Sequence, residues 1–322
     1  MTIPIILFTY NRPGHLKKCL NSIQKIKKIK KIYFFCDGPI KNADEIDLKK
    51  IKNCRSIIKN VNWVDKEIYI QEKNIGIKKT LLLSANVIFD QNNYEFAIYL
   101  EDDNIILPSF YEYMKTCSKK FLNNKRIFSV SGYNFLLNKK LYSQIKEDFF
   151  FSNYTNTWSI GFWKRSWRLW NKEILNLEGK ANAHIFKDIL NSKNYILYDS
   201  LLEGYIKKNN AGSTYFYTSW KYGKLTVFPK YPLIKNIGMD GTGENCILTD
   251  KYENQQRFPL NYRLRISKKI AKPNKNIEIF LNTNLMISKK KIFFFKICPF
   301  IFQIPILKIY YNILKFNNNK NN

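Results

Sequence analysis

The chain opens with an uninterrupted apolar run, Ile3 to Phe8, that stops at a polar turn, Thr9-Tyr10-Asn11-Arg12-Pro13-Gly14. A run of that length without alternation predicts a strand buried on both faces. Leu16, Leu20, Ile23 and Ile26 then recur at helical spacing, and a second run, Ile32-Tyr33-Phe34-Phe35-Cys36, ends in a turn at Asp37-Gly38-Pro39. Together these make a β-α-β unit. The rhythm continues with a third short strand over Glu67 to Gln71, a turn at Asn74-Ile75-Gly76, a helix through Leu81, Leu82, Ala85, Val87 and Ile88, and a fourth strand, Ala97-Ile98-Tyr99-Leu100. The alternation predicts an α/β fold, a mostly parallel sheet with helices on both faces, which takes its ligands at the carboxyl ends of the strands. The polar residues at those ends are Thr9 to Arg12, Asp37, Asn74 and Glu101 to Asp103, and they are expected to converge on one crevice.

Beyond residue 130 the alternation loosens. Four tryptophans fall between positions 158 and 170, and Lys224 to Pro229 is strand-like. Trp163, Trp167 and Trp170 recur at helical spacing and read as core. Trp158, Gly161 and Phe162 precede that helix and are expected to form a flat apolar wall of the ligand site. No repeat of fixed period runs through the chain.

Composition supports a folded chain: 45% of the 322 residues are apolar and 16% aromatic. The formal charge of +29 names polyanions as a class of partner. An A/T-rich coding sequence would impose the same Lys, Asn and Ile usage. Six separated cysteines with no C-x-x-C pair, and only two histidines, make a structural zinc site a poor fit and suit a reducing compartment. The amino terminus has no basic region before its short apolar stretch and does not read as a secretory signal. Cytoplasmic placement is the expectation.

Leu100-Glu101-Asp102-Asp103-Asn104 sets three carboxylates directly after a buried strand. Their mutual repulsion calls for a cation or donor hydroxyls. A hard ion, Mn²⁺ or Mg²⁺, keeps one or two protein carboxylates and leaves its other positions to substrate phosphates. Asp103→Ala is expected to abolish metal-dependent donor binding while leaving the fold intact, since a surface turn residue matters little to stability.

TYNRP after the first strand, FFCDGP at the second, KNIGIKK after the third and YLEDD after the fourth resemble, in order and spacing, glycosyltransferases of the GT-A fold. The nearest family is the bacterial family 2-like sugar transferases, with a more distant similarity to the N-acetylglucosaminyltransferase that carries an E-D-D motif. TWSIGFW and PLIKNIG followed by DGTG extend the resemblance through residues 1–250. It implies a catalytic domain over 1–250, with a nucleotide-binding half at 1–110 and an acceptor half at 111–250, and a C-terminal extension at 251–322.

Residue by residue, the resemblance implies that Thr9, Asn11 and Arg12 contact the nucleotide and that Asp37 recognises its base. Asn74, Gly76 and Lys78 would border the nucleotide and phosphates. Glu101 and Asp102 would face the ribose and sugar, and Asp103 would ligate the metal. It further implies an inverting transferase with a nucleotide-sugar donor and a glycan or lipid-linked saccharide acceptor. Such an enzyme needs a carboxylate base. The nearest acids to the expected position are Asp199 and Glu203, four apart on one helix face, with Glu203 preferred, and then Asp240 and Glu244 in a downstream loop. A nucleotidyltransferase and a basic nucleic-acid-binding protein are the alternatives. Neither is supported by a signature, and no specific nucleic-acid partner is expected.

The segment from Ile292 to Phe316 is mostly apolar and follows Lys289-Lys290-Lys291, with Lys296, Pro299, Pro305, Lys308 and Lys315 interrupting it. That suits an interfacial segment on the inner face of an anionic membrane better than a spanning helix, with a core-packing tail as the alternative.

Overall fold

A computed structural model describes residues 2–134, 139–177, 183–206, 211–242, 255, 257–258, 265, 272–281, 289–298 and 303–309. Its centre is an eight-stranded sheet built from β1 (Ile5–Thr9), β2 (Lys31–Cys36), β3 (Asp65–Ile70), β4 (Phe96–Glu101), β6 (Ile127–Ser131), β7 (Phe149–Ser152), β8 (Ile160–Trp163) and β9 (Leu225–Pro229). The order across it is β3-β2-β1-β4-β8-β6-β9-β7. The first four strands are parallel, as the alternation predicts. β8 then enters antiparallel to both β4 and β6, β9 is parallel to β6, and β7 closes the edge antiparallel to β9.

Period-two alternation divides each central strand between two cores. Ile5, Leu7, Ile32 and Phe34 pack with Leu16, Cys19 and Ile23 of α1 (Pro13–Gln24), Cys54 and Ile58 of α2 (Glu45–Lys59), and Met114 and Cys117 of α4 (Phe110–Lys120). Ile6, Phe8, Tyr33 and Phe35 pack on the opposite face. Their partners are Ala85 of α3 (Gly76–Ala85), Val87 and Phe89 of the wide helical turn that follows it (Asn86–Gln91), Trp167 and Trp170 of α6 (Lys164–Asn176), and Tyr215 of α9 (Ala211–Lys221). Helices therefore cover both faces, and each inward side chain of this size contributes about 1.5–3 kcal/mol on burial. The three tryptophans read as core, Trp163, Trp167 and Trp170, are buried.

The expectation passed over α2, which Asp44 starts by accepting from the Asp47 amide and which buries Ile51, Cys54 and Ile58 at helical spacing. A third core gathers α7 (Ala183–Asn191), α8 (Tyr195–Ile206), the outer faces of β7 and β9, and the C-terminal helices. The two expected halves each contribute four strands to this one sheet, β1–β4 before position 110 and β6–β9 after it.

A second, two-stranded sheet pairs β5 (Asn104–Ile106) antiparallel with β10 (Ile234–Asn236), setting Asn104 opposite Asn236. This small sheet carries a loop from late in the chain onto the end of β4.

Candidate functional site

In-register parallel pairing lines up the carboxyl ends of the first strands: Thr9 lies beside Cys36, Phe8 beside Glu101, and Cys36 beside Ile70. The loops that follow meet one another. Arg12, at the start of α1, pairs through its guanidinium with Asp102 and, at 3.0 Å, with Asp103. Asn11 donates to Asp47 of α2 at 3.1 Å. Thr9 is buried, and its hydroxyl has no hydrogen-bond partner.

Asp37 holds the next loops together. One carboxylate oxygen accepts from the Gly38 and Ile75 amides and the other from the Gly76 amide, at 2.8 to 2.9 Å. These bonds cap the start of α3, where Gly76 takes φ +77°, a left-handed conformation that favours glycine. Asp37 was expected to read the base, but its carboxylate is largely committed to backbone N–H groups. Asn74 donates to the Gly38 carbonyl at 3.1 Å, and Lys78 lies half-buried in the first turn of the same helix. Arg55, which the motifs did not single out, donates to the Gln71 carbonyl at 2.7 Å and so ties α2 to the end of β3.

The acidic tripeptide is not a solvated turn. Asp102 and Asp103 are each 2% exposed and Asn104 is fully buried. Asp103 accepts from the amides of Asn104 (2.5 Å) and Asn236 (3.4 Å) on one oxygen and from Arg12 on the other. Its backbone carbonyl accepts from the Ile237 amide at 2.9 Å. Gly238 lies so close that a Cβ there would run into the Asp103 carboxylate. His15 completes the closure, with Nε2 3.2 Å from the Ile237 carbonyl and 3.1 Å from Asp240. The loop after β10 thus straps the cluster.

Three carboxylates around one guanidinium leave surplus negative charge. Burial raises the Asp102 pKa, Asp103 adds to the rise and Arg12 offsets part of it, leaving it at about 6. Burial also raises Glu101, with Asp103 and Asp102 adding to it against Arg12, to about 8. Burial alone would lower the Arg12 pKa, but Asp102 and Asp103 outweigh it and hold the guanidinium above its ordinary value.

The donor set suits a hard divalent ion shared with a ligand. Asp103 offers an oxygen whose charged partner is Arg12, and the Asn104 side-chain carbonyl is buried without a hydrogen-bond partner. Among the described residues no three His, Cys, Asp or Glu side chains form a closed cage. A cation that retains substrate phosphates needs only one or two protein carboxylates. For such an ion to reach Asp103, Arg12 must release that oxygen.

Other expected site residues lie elsewhere. Phe162 is core: it is 2% exposed and stacks on Tyr99 at 4.6 Å between ring centroids. Gly161 is a packing glycine, since a Cβ there would meet the Phe96 ring and the Met114 sulfur. Neither is available as a wall for a sugar. Trp158 stays half-buried, edge-on to Tyr133 at 4.9 Å. Asp199 pairs with Lys291 of α11 (Lys289–Ile297) at 2.6 Å. With Glu203 it lies on α8, which packs into the third core rather than against the acidic cluster. Glu244 falls outside the described residues. His15 and Asn104 are site residues that the motifs missed. His15 follows directly on TYNRPG, and Asn104 ends the acidic run.

No family model matches the chain, and no curated protein matches it. Solved structures with a similar arrangement include a galactosyltransferase, LgtC, in complex with donor and acceptor sugar analogues (10% identity, 70% of this chain and 73% of that one, TM-score 0.37). Another is the mannosyltransferase PcManGT from Pyrobaculum calidifontis with GDP-Man and Mn²⁺ (9% identity, 69% and 71%, TM-score 0.35). A third is 4-diphosphocytidyl-2C-methyl-D-erythritol synthase from Anaerococcus prevotii DSM 20548 (11% identity, 56% and 80%, TM-score 0.32). At such low scores these likenesses carry no functional argument.

Proposed function

We propose that the protein is a nucleotide-sugar-dependent glycosyltransferase of GT-A type, with its donor site at the carboxyl ends of β1, β2 and β4. The observation that carries this reading is the charge-unbalanced cluster of buried Asp102 and Asp103 on Arg12, with half-buried Glu101 next to them, at the edge where an α/β sheet binds ligands. A donor supplies what the cluster lacks and takes what it offers. Sugar and ribose hydroxyls are donors for Glu101 and Asp102, and a diphosphate is a bidentate acceptor for the Arg12 fork. The unpartnered Thr9 hydroxyl supplies a further donor to the nucleotide.

A divalent ion, when bound, would be held by Asp103 with the Asn104 side-chain carbonyl and would offset the charge of the departing diphosphate. The chain's own residues do the rest. The acceptor hydroxyl oxygen attacks the sugar C1 as the bond from C1 to the diphosphate breaks, and the hydroxyl proton passes to a carboxylate base. Asp240 suits that base better than Glu203 or Asp199, because it sits on the strap beside Asp103 and is partly open to solvent. Burial would raise its pKa, but bonds from Thr242 and the nearby His15 outweigh this and hold it low, so it is ionised at neutral pH. Its role in an inverting transfer gives the proton a defined destination.

Screening nucleotide sugars with Mn²⁺ by thermal shift tests the proposal. Binding at about a hundredfold over Kd stabilises the fold by roughly 2.7 kcal/mol. One nucleotide class is expected to raise the melting temperature, and Asp240→Asn is expected to keep that shift while losing transfer to acceptor. A flat response to every nucleotide sugar contradicts the proposal.

A further inference from the structure

The described C-terminal helices bury one side and leave the other bare. On α11, Phe295 is 1% exposed and meets Tyr198 at 4.8 Å between ring centroids. On the helix at 303–309, Gln303 and Leu307 are buried. The outward residues are also apolar: Phe293 is 62% exposed, Ile297 61%, Ile306 46% and Ile309 62%. Lys290, Phe293 and Ile297 follow one another at i, i+3 and i+7, so they form a single stripe along α11. Gln303 donates to the Cys298 carbonyl at 2.6 Å, which fastens the second helix to the end of the first.

The charge around this face has one sign. From residue 279 to the end the chain has seven lysines and no Asp or Glu. Lys290, Lys296 and Lys308 are exposed beside the apolar residues. Asp199 is engaged by Lys291, and Glu278 by Ser152 and Asn153. No described helix is long and apolar enough to cross a membrane.

We propose that this face docks on an anionic lipid surface. Phe293, Ile297, Ile306 and Ile309 enter the boundary between headgroups and acyl chains, while Lys290, Lys296 and Lys308 meet lipid phosphates. Lysine fits both demands, since its stem lies along the apolar layer and its ammonium reaches outward.

The test needs no nucleotide sugar, so it fails or succeeds independently of the proposed activity. Full-length protein is sedimented with phosphatidylcholine vesicles and with vesicles containing added phosphatidylglycerol. Three variants accompany it: Phe293→Ser with Ile297→Ser, Lys49→Gln with Lys52→Gln on the exposed side of α2, and Phe293→Trp. The unmodified protein is expected to bind the anionic vesicles and to remain partly bound in salt that screens surface charge. The double serine variant is expected to keep its melting temperature and lose at least about tenfold in binding, since two inserted apolar side chains are removed. The α2 variant should stay within about twofold of the unmodified protein. On the same vesicles, brominated acyl chains should quench the added indole fluorescence of Phe293→Trp, measured as the difference from the unmodified protein. Equal binding by the double serine variant, or no quenching, overturns the proposal and assigns adhesion to net charge alone. No vesicle binding by the unmodified protein also overturns it and directs attention to an acidic protein partner.

Discussion

Two buried acidic sites in this protein differ in how their charge is balanced. Glu173 of α6 is 1% exposed, and each of its oxygens has its own donor, Lys221 and the Tyr222 hydroxyl, both at 2.9 Å. One carboxylate meets one ammonium, and the pair ties α6 to the end of α9. At the sheet edge, Asp102 and Asp103 share the single guanidinium of Arg12, and Glu101 adds a third carboxyl group nearby. A buried surplus of like charge is costly unless something further neutralises it. The first site is complete as a structural tie. The second calls for a proton, a cation or a ligand, which is why we assign function there.

Removing the central charge at each site separates the two most sharply. Arg12→Ala leaves two buried carboxylates without their cation and should cost about 3–5 kcal/mol in urea unfolding. Glu173→Ala strands the Tyr222 hydroxyl and Lys221, whose side chain is 40% exposed and can turn to water. Its loss should therefore be smaller, about 2–3 kcal/mol, with nucleotide affinity unchanged. If Glu173→Ala weakens nucleotide binding as much as Arg12→Ala does, the division between tie and site fails.

The third expected effect is a gain. Glu101 is held up to about 8 chiefly by burial, so the folded chain keeps a proton that the unfolded chain releases at lower pH. Its contribution to stability is present below the ordinary carboxylate range and is lost as pH rises through the folded value. Glu101→Gln should thus be more stable than the unmodified protein at pH 8, with the advantage gone by about pH 4. A melting-temperature difference that does not change between those pH values would show that the surplus is neutralised in some other way.

In the sheet's first half β1, β2 and β4 were legible because a parallel strand buried on both faces writes itself as an apolar run. Its turns were legible because Thr9 to Arg12, Asp37 and Glu101 to Asp103 interrupt those runs at the strand ends. β8 was not legible as a strand. Ile160 to Trp163 is only four residues long, and the stacking of Phe162 on Tyr99 that defines it is a contact between distant segments. The same distance hid the burial of Asp103, which depends on Asn236, Ile237 and Gly238 arriving through β10. The expectation that Asp103→Ala would be silent in a melt is therefore corrected: its carboxylate is acceptor to Arg12, Asn104 and Asn236, and deleting it leaves buried donors unpaired. Asp199 and Glu203 were chosen for their spacing on one helix face, and the pairing of Asp199 with Lys291 belongs to a part of the chain that spacing does not report.

Calorimetric titration of a panel of nucleoside diphosphates in the presence of Mn²⁺, into the unmodified protein and the Arg12→Lys and Glu173→Gln variants, tests the central claim most directly. Arg12→Lys keeps the positive charge over Asp102 and Asp103 but loses the two-pronged fork, so folding is preserved while diphosphate recognition is reduced. We predict that one nucleoside diphosphate binds the unmodified protein and Glu173→Gln alike and binds Arg12→Lys at least about tenfold more weakly, the worth of one charge-assisted hydrogen bond. Undiminished binding by Arg12→Lys, or binding by none of the three, would contradict the assignment of the strand-end cluster as the donor site.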